Sequence, residues 1–90
     1  MKEAEPVAFK AGQVLFHQGH LPYGLFVVMK GEVQFSSVGD VCHEDHLSPT
    51  PHGNVIELGP FLKSVPYCCT CRAKGDCWTV FIAKSQLGDV

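Results

Sequence analysis

The strongest constraint on this chain is what it lacks: nowhere do apolar residues recur at helical spacing over more than a turn. The apolar residues instead fall in short runs broken by glycine. Val14, Leu15 and Phe16 stand between Gly12 and Gly19, and Leu25 to Met29 ends at Lys30-Gly31. Val33 and Phe35 then alternate with Glu32, Gln34 and Ser36, the period of a half-buried strand. Thr70 to Arg72 and Thr79 to Ala83 read as two further strands around a Lys74-Gly75-Asp76 turn, and Val38-Gly39-Asp40 reads as another turn. The stretch HLSPTPHGN, with two prolines, a glycine and an asparagine, is predicted to be mostly loop, with a short strand possible before it. Short strands at this spacing predict an all-β sandwich or barrel. The one helical candidate is Glu57 to Leu62, which Gly59 and Pro60 limit to a single turn. Such a turn carries no fold, but its free N–H groups attract anions.

Composition narrows the function classes. Ninety residues are enough for one domain. Hydrophobic residues make up 46% and charged residues 18%, which suits a packed core rather than a disordered tail. Seven basic and nine acidic residues give a net charge of −2, so there is no basic face for nucleic acid. The opening MKEAEPVAFKAG has acids and a proline where a secretory signal needs an apolar stretch. No apolar run approaches the roughly 20 residues that cross a bilayer. A soluble, cytoplasmic protein is expected, with neither nucleic-acid nor membrane partners. Five cysteines, an odd number with three crowded in CCTC, do not fit a secreted disulfide scaffold. In a reducing compartment they point to metal or redox chemistry, or to small buried side chains.

These residues resemble a known family. Phe9, Gly12, Leu15-Phe16, Gly19, the Phe26 to Val28 strand, Gly31 and Val33 match, without a gap, the opening of the cyclic nucleotide-binding domain, the β-roll of the catabolite activator and its relatives. GNVIELGPF resembles that family's Gly-Asp-Phe-x-Gly-Glu-Leu cassette with one residue deleted. VPYCCTCRAKGDCWTVFIAKSQL resembles its closing hairpin. The resemblance implies a double-stranded β-helix, or jelly-roll, of the cyclic nucleotide-binding type, with one short helical turn and no long terminal helix. It divides the chain into a lead-in at 1–8, one domain at 9–87 and a tail at 88–90. Relatives that act on DNA continue into a long dimerising helix and a helix-turn-helix. The sequence ends at Val90, so a stand-alone regulatory or sensory module is expected. Without the long helix the roll should expose apolar surface, which predicts a homodimer or a protein partner.

The resemblance also assigns a pocket: Ile56, Glu57, Leu58, Tyr67, Cys68 and Cys69. In the family a glutamate accepts from the ribose hydroxyl, and it falls on Glu57. An arginine grips the cyclic phosphate, and its place is taken by Tyr67, with Cys68 at the following serine. Arginine suits that task because its planar fork donates two parallel bonds to one phosphate. A tyrosine donates one neutral bond, and losing a charge-assisted bond costs roughly 1.5–3 kcal/mol. The cassette glycine before the glutamate is either deleted or replaced by Ile56, which would crowd the turn further. Ligand binding is therefore expected to be impaired or altered. A rival reading keeps a working cyclic nucleotide receptor, with Arg72 or Lys63 in the arginine's role.

A third reading is a thiol or metal sensor. If CCTC is extended, Tyr67, Cys69 and Cys71 face one side and Cys68, Thr70 and Arg72 the other. Cys69, Cys71 and Cys77 are then expected to be packing thiols, while Cys68 reaches the pocket as an accessible thiol. Cys42, His46 and Cys68 form the candidate set for zinc or iron, provided the variable hairpin folds onto the pocket strand. His17 and His20 give an HxxH pair reminiscent of cupins, but the interval is too long and no acid follows. No Ser/His/Asp order, paired carboxylates or phosphate-gripping lysine loop is present, so no enzyme is expected, nor any obligatory cofactor.

Overall fold

The computed structural model describes residues 4–39 and 46–87. Eight strands are described: β1 (Glu5–Phe9), β2 (Val14–Phe16), β3 (Gly24–Lys30), β4 (Val33–Ser36), β5 (Leu47–Thr50), β6 (Gly53–Ile56), β7 (Thr70–Ala73) and β8 (Cys77–Ala83). All pairs are antiparallel. One sheet runs β1-β8-β3-β6-β5 and the other β2-β7-β4. Two short helices complete the described chain, α1 (Leu58–Lys63) and α2 (Lys84–Leu87). This is the all-β roll the pattern of short runs predicts.

The core lies between the sheets, where alternating strand residues from both meet. Phe16, Val28, Ile56, Tyr67, Cys69 and Cys71 are buried together, with Leu15, Phe26, Val33 and Phe35 packed against them. Aromatic edges extend the core along the larger sheet, Phe26 touching Phe9 at 5.8 Å and Phe81 at 4.9 Å between centroids. The turn between β3 and β4 needs its glycine. Gly31 has φ of 97°, and a Cβ there would run into the Asp76 carbonyl of the neighbouring turn. Glycine alone meets both demands cheaply.

Three elements depart from the sequence expectation. The stretch 46–54, expected to be mostly loop, instead forms the β5–β6 hairpin, paired from Leu47↔Ile56 to Thr50↔Gly53. Pro49 is tolerated because β5 is the outermost strand of its sheet, where a missing N–H breaks no inner ladder. The Thr50 hydroxyl closes the turn, accepting from the His52 and Gly53 N–H groups and donating to the Gly53 carbonyl. Next, β1 reaches back to Glu5, inside the segment read as a lead-in, because β8 offers it a full partner from Glu5↔Phe81 to Phe9↔Cys77. Finally, the single helical turn becomes α1, with α2 as a second short helix. Pro60 sits within the first turn of α1, where its missing N–H costs nothing.

Candidate functional site

The cassette glutamate is fully turned inward. Glu57 is 1% exposed and serves as the N-cap of α1 in the left-handed region, with φ of 52° and ψ of 50°. A non-glycine residue held there costs of order 1–3 kcal/mol, and such strain clusters at sites of function. Its N–H bonds the His46 carbonyl at 2.7 Å, so the hairpin that ends at Ile56 also fixes the backbone of the glutamate. One carboxylate oxygen, Oε2, accepts from the Cys69 thiol at 2.9 Å. The other, Oε1, lies 3.3 Å from His46 Nδ1 yet receives no well-formed hydrogen bond among the described residues. The His46 ring lies nearly parallel to Phe35, with centroids 4.4 Å apart and an angle of 18°. His46 Nδ1 and the Cys69 sulfur are 3.7 Å apart.

Tyr67, where the family resemblance leads one to expect an arginine, is committed to packing. Its ring stacks on Phe16 with centroids 3.8 Å apart and an angle of 14°. The Tyr67 carbonyl accepts from Gly19 N–H, and its own N–H bonds the His20 carbonyl, both at 2.9 Å. The His17–His20 turn is thereby stapled to the pocket strand. Burial, then the Glu57 and Cys71 charges, push the Tyr67 phenol up to about 12, so it stays a neutral donor. Tyr67 also forms part of the wall of a mostly apolar cavity of about 270 Å³, together with Leu15, His20, Tyr23 and Phe81.

The pocket residues read from the sequence are thus partly assembled. Ile56, Glu57, Tyr67 and Cys69 are buried, while Leu58 and Cys68 are half-buried. The alternation along CCTC holds, with Tyr67, Cys69, Cys71 and Ala73 buried and Arg72 exposed. Arg72 therefore projects away from Glu57. Cys68 is disulfide-bonded rather than an accessible free thiol. Its sulfur carries no proton, so its 4.0 Å approach to Glu57 Oε2 is a contact rather than a hydrogen bond.

Cys69, Cys71 and Cys77 are free and buried. Burial pushes the Cys69 thiol well above the usual cysteine range, and its hydrogen bond to Glu57 and the charges of Glu57 and Cys71 add to this. Cys71 is pushed up to about 12 by burial, with Cys77 and Glu57 adding to the shift. Cys77 is raised, chiefly by burial, although its sulfur donates to the Glu32 carbonyl at 2.9 Å.

Of the metal set expected from the sequence, Cys42, His46 and Cys68, only the last two are described. Cys42 lies outside the described residues. Cys68 is taken by its disulfide, and its neighbour Cys69 points inward instead. Among the described residues the one compact donor group is His46, Glu57 and Cys69, with ligand atoms all within 4.8 Å of one another. Sequence reasoning places His46 and Cys69 in separate sites. The missing signal is the hairpin at 46–54, which a loop assignment hides. His17 and His20 tilt at 54° with rings 5.4 Å apart, and no acid joins them in a donor cluster among the described residues. No helix among the described residues is long and apolar enough to cross a membrane.

Solved structures agree on the fold. A cAMP-binding acyltransferase from Mycobacterium smegmatis superposes with a TM-score of 0.71 at 21% identity, over 94% of this chain and 26% of that one. The catabolite activator protein of Thermus thermophilus superposes with a TM-score of 0.72 at 18% identity, over 93% of this chain and 39% of that one. The chain thus spans well under half the length of either. No curated protein matches the sequence. The family model for the cyclic nucleotide-binding domain matches residues 6–90, and with the antiparallel roll it describes in place the chain belongs to that family.

Proposed function

We propose that the chain is a regulatory or sensory module that keeps the cyclic nucleotide-binding roll but has remodelled the phosphate end of its pocket. It acts through an altered small-molecule ligand or a protein partner rather than by catalysis. The observation that carries this reading is Tyr67. A phenol stacked on Phe16 stands where the family's phosphate-gripping fork is expected. Glu57 is buried beside it, and the nearest cationic candidate among the described residues is the His46 ring. A cyclic phosphate brought to this place would meet the Glu57 carboxylate and a phenol at position 67 in place of an arginine fork, so the desolvation of the anion goes poorly compensated.

Two further points support the reading over its rivals. Arg72, one of the two substitute cations named for an intact receptor, is exposed on the opposite face of its strand from the buried Cys71. A thiol sensor needs an accessible thiolate, whereas Cys69 and Cys71 are buried and held protonated. A protein partner fits the exposed apolar side chains Leu21, Tyr23 and Leu62. Titration calorimetry with cyclic AMP and cyclic GMP tests the proposal. No saturable heat is expected at micromolar nucleotide, and a micromolar Kd for either would overturn it.

A further inference from the structure

We propose that His46, Glu57 and Cys69 form a binding site for a zinc-class divalent cation, placed where the family's sugar-binding glutamate stands. The ligand atoms are His46 Nδ1, one Glu57 carboxylate oxygen and the Cys69 sulfur, all within 4.8 Å. In a tetrahedral zinc site with bonds of about 2.0–2.3 Å, neighbouring ligand atoms stand about 3.3–3.8 Å apart. His46 Nδ1 is 3.3 Å from Glu57 Oε1 and 3.7 Å from the Cys69 sulfur. Two of the three edges already have the dimensions of a metal site. The third, the 2.9 Å sulfur-to-oxygen edge, is short because a proton bridges it. A cation entering there displaces that proton to solvent, turns the thiol into a thiolate ligand and parts the two atoms.

The independent observation is the orphaned oxygen. Glu57 is 1% exposed and its Oε1 is buried without a hydrogen-bond partner among the described residues, an arrangement that natural structures rarely leave unanswered. A divalent cation answers it. Together with one thiolate, one carboxylate and a neutral imidazole, it sums to zero charge, so the buried group is compensated in full. The mixed sulfur, nitrogen and oxygen donor set is that of a borderline metal such as zinc rather than calcium or magnesium. The surroundings also hold the ligands in place. Phe35 stacks on the His46 ring, and the Glu57 N–H to His46 carbonyl bond ties two ligands through the backbone. The His46 side chain is 28% exposed, which leaves an open fourth position for water on that side. The metal test is read with no nucleotide added, so its outcome is separate from that of the nucleotide titration.

Cobalt(II) is the probe, added to chelator-treated protein and followed by thiolate-to-cobalt charge-transfer absorption, with zinc as competitor. One equivalent should bind saturably, and zinc should abolish the band. In Cys69→Ser the charge-transfer band should vanish while circular dichroism keeps its β signature. In His46→Gln the affinity should fall roughly tenfold or more. Absence of saturable uptake by the unaltered protein overturns the proposal, as does an undiminished band in Cys69→Ser, which would place the metal on other thiols. Should Cys69→Ser not fold, the partly exposed His46→Gln decides, and an unchanged affinity there is likewise fatal.

Discussion

The rings of Phe16 and Tyr67 lie face to face, 3.8 Å apart and 14° from parallel, one from β2 and the other from the segment that leads into β7. The contact ties the smaller sheet to the pocket, and it exists only because position 67 is aromatic. An arginine there, the residue the family resemblance leads one to expect, would free its head for an anion. In this chain the same position serves packing.

Replacing Tyr67 with arginine should therefore trade packing for recognition. Tyr67→Arg restores a charge-assisted, two-pronged donor facing the cassette, and cyclic AMP affinity should rise about tenfold or more, at about 1.4 kcal/mol per decade. Calorimetry on the variant and the parent measures the difference. If the two are equal, position 67 is not what limits nucleotide binding.

Phe16→Ala removes the other half of the stack from a core position that is 7% exposed. A loss of about 3–5 kcal/mol is expected for a buried phenylalanine cut to alanine. Urea unfolding followed by tryptophan fluorescence gives the number, and a loss below about 1 kcal/mol would show that the stack contributes little beyond its area.

Stability should fall as the solution becomes strongly alkaline. Tyr67 moves from 10.0 to about 12 and Cys71 from 9.0 to about 12. Each raised value means that the folded state favours the protonated, neutral form. Their contribution is fully present below pH 9, and it is lost as pH rises through the window from there to about 12. Urea midpoints measured across this window with chelator present should decline, and Tyr67→Phe should decline less. An equal slope in parent and variant would remove Tyr67 from the account.

Gly31→Ala probes the turn between β3 and β4. A side chain at φ of 97° is strained by about 1–3 kcal/mol, and the approach of the Asp76 carbonyl adds to that. Gly12→Ala makes a fair control, since φ there is similar at 89° but a Cβ meets nothing nearby. Thermal melts should rank Gly31→Ala below Gly12→Ala.

Much of the roll is legible in the sequence because its signals are local. Glycines at the turns and apolar runs between them place β2, β3, β4, β7 and β8 without reference to anything distant. The β5–β6 hairpin is not, because Pro49 and Pro51 argue against a strand unless it is known to lie at a sheet edge, and that is a tertiary fact. β1 is hidden for a kindred reason: Glu5 and Pro6 look like lead-in until β8 is seen to pair with them. At the site, the family resemblance puts Glu57 in the cassette and Tyr67 in the arginine's place. It does not show that His46 folds over Glu57, since that contact needs the hairpin. Nor does it show the left-handed backbone at Glu57, which is favoured for glycine and has no signature in a glutamate.

The pairing of β1 with β8 carries a kinetic consequence. The strand nearest the N-terminus has its hydrogen-bonding partner among the last residues described, so on the ribosome it must wait, unpaired, until almost all of this segment has been made. β8 is also the link between β1 and β3 in the larger sheet, so the β1–β8 and β8–β3 ladders close late and together. Such distant pairing makes for slow assembly, and the apolar edge left open in the meantime is where newly made chains would stick to one another.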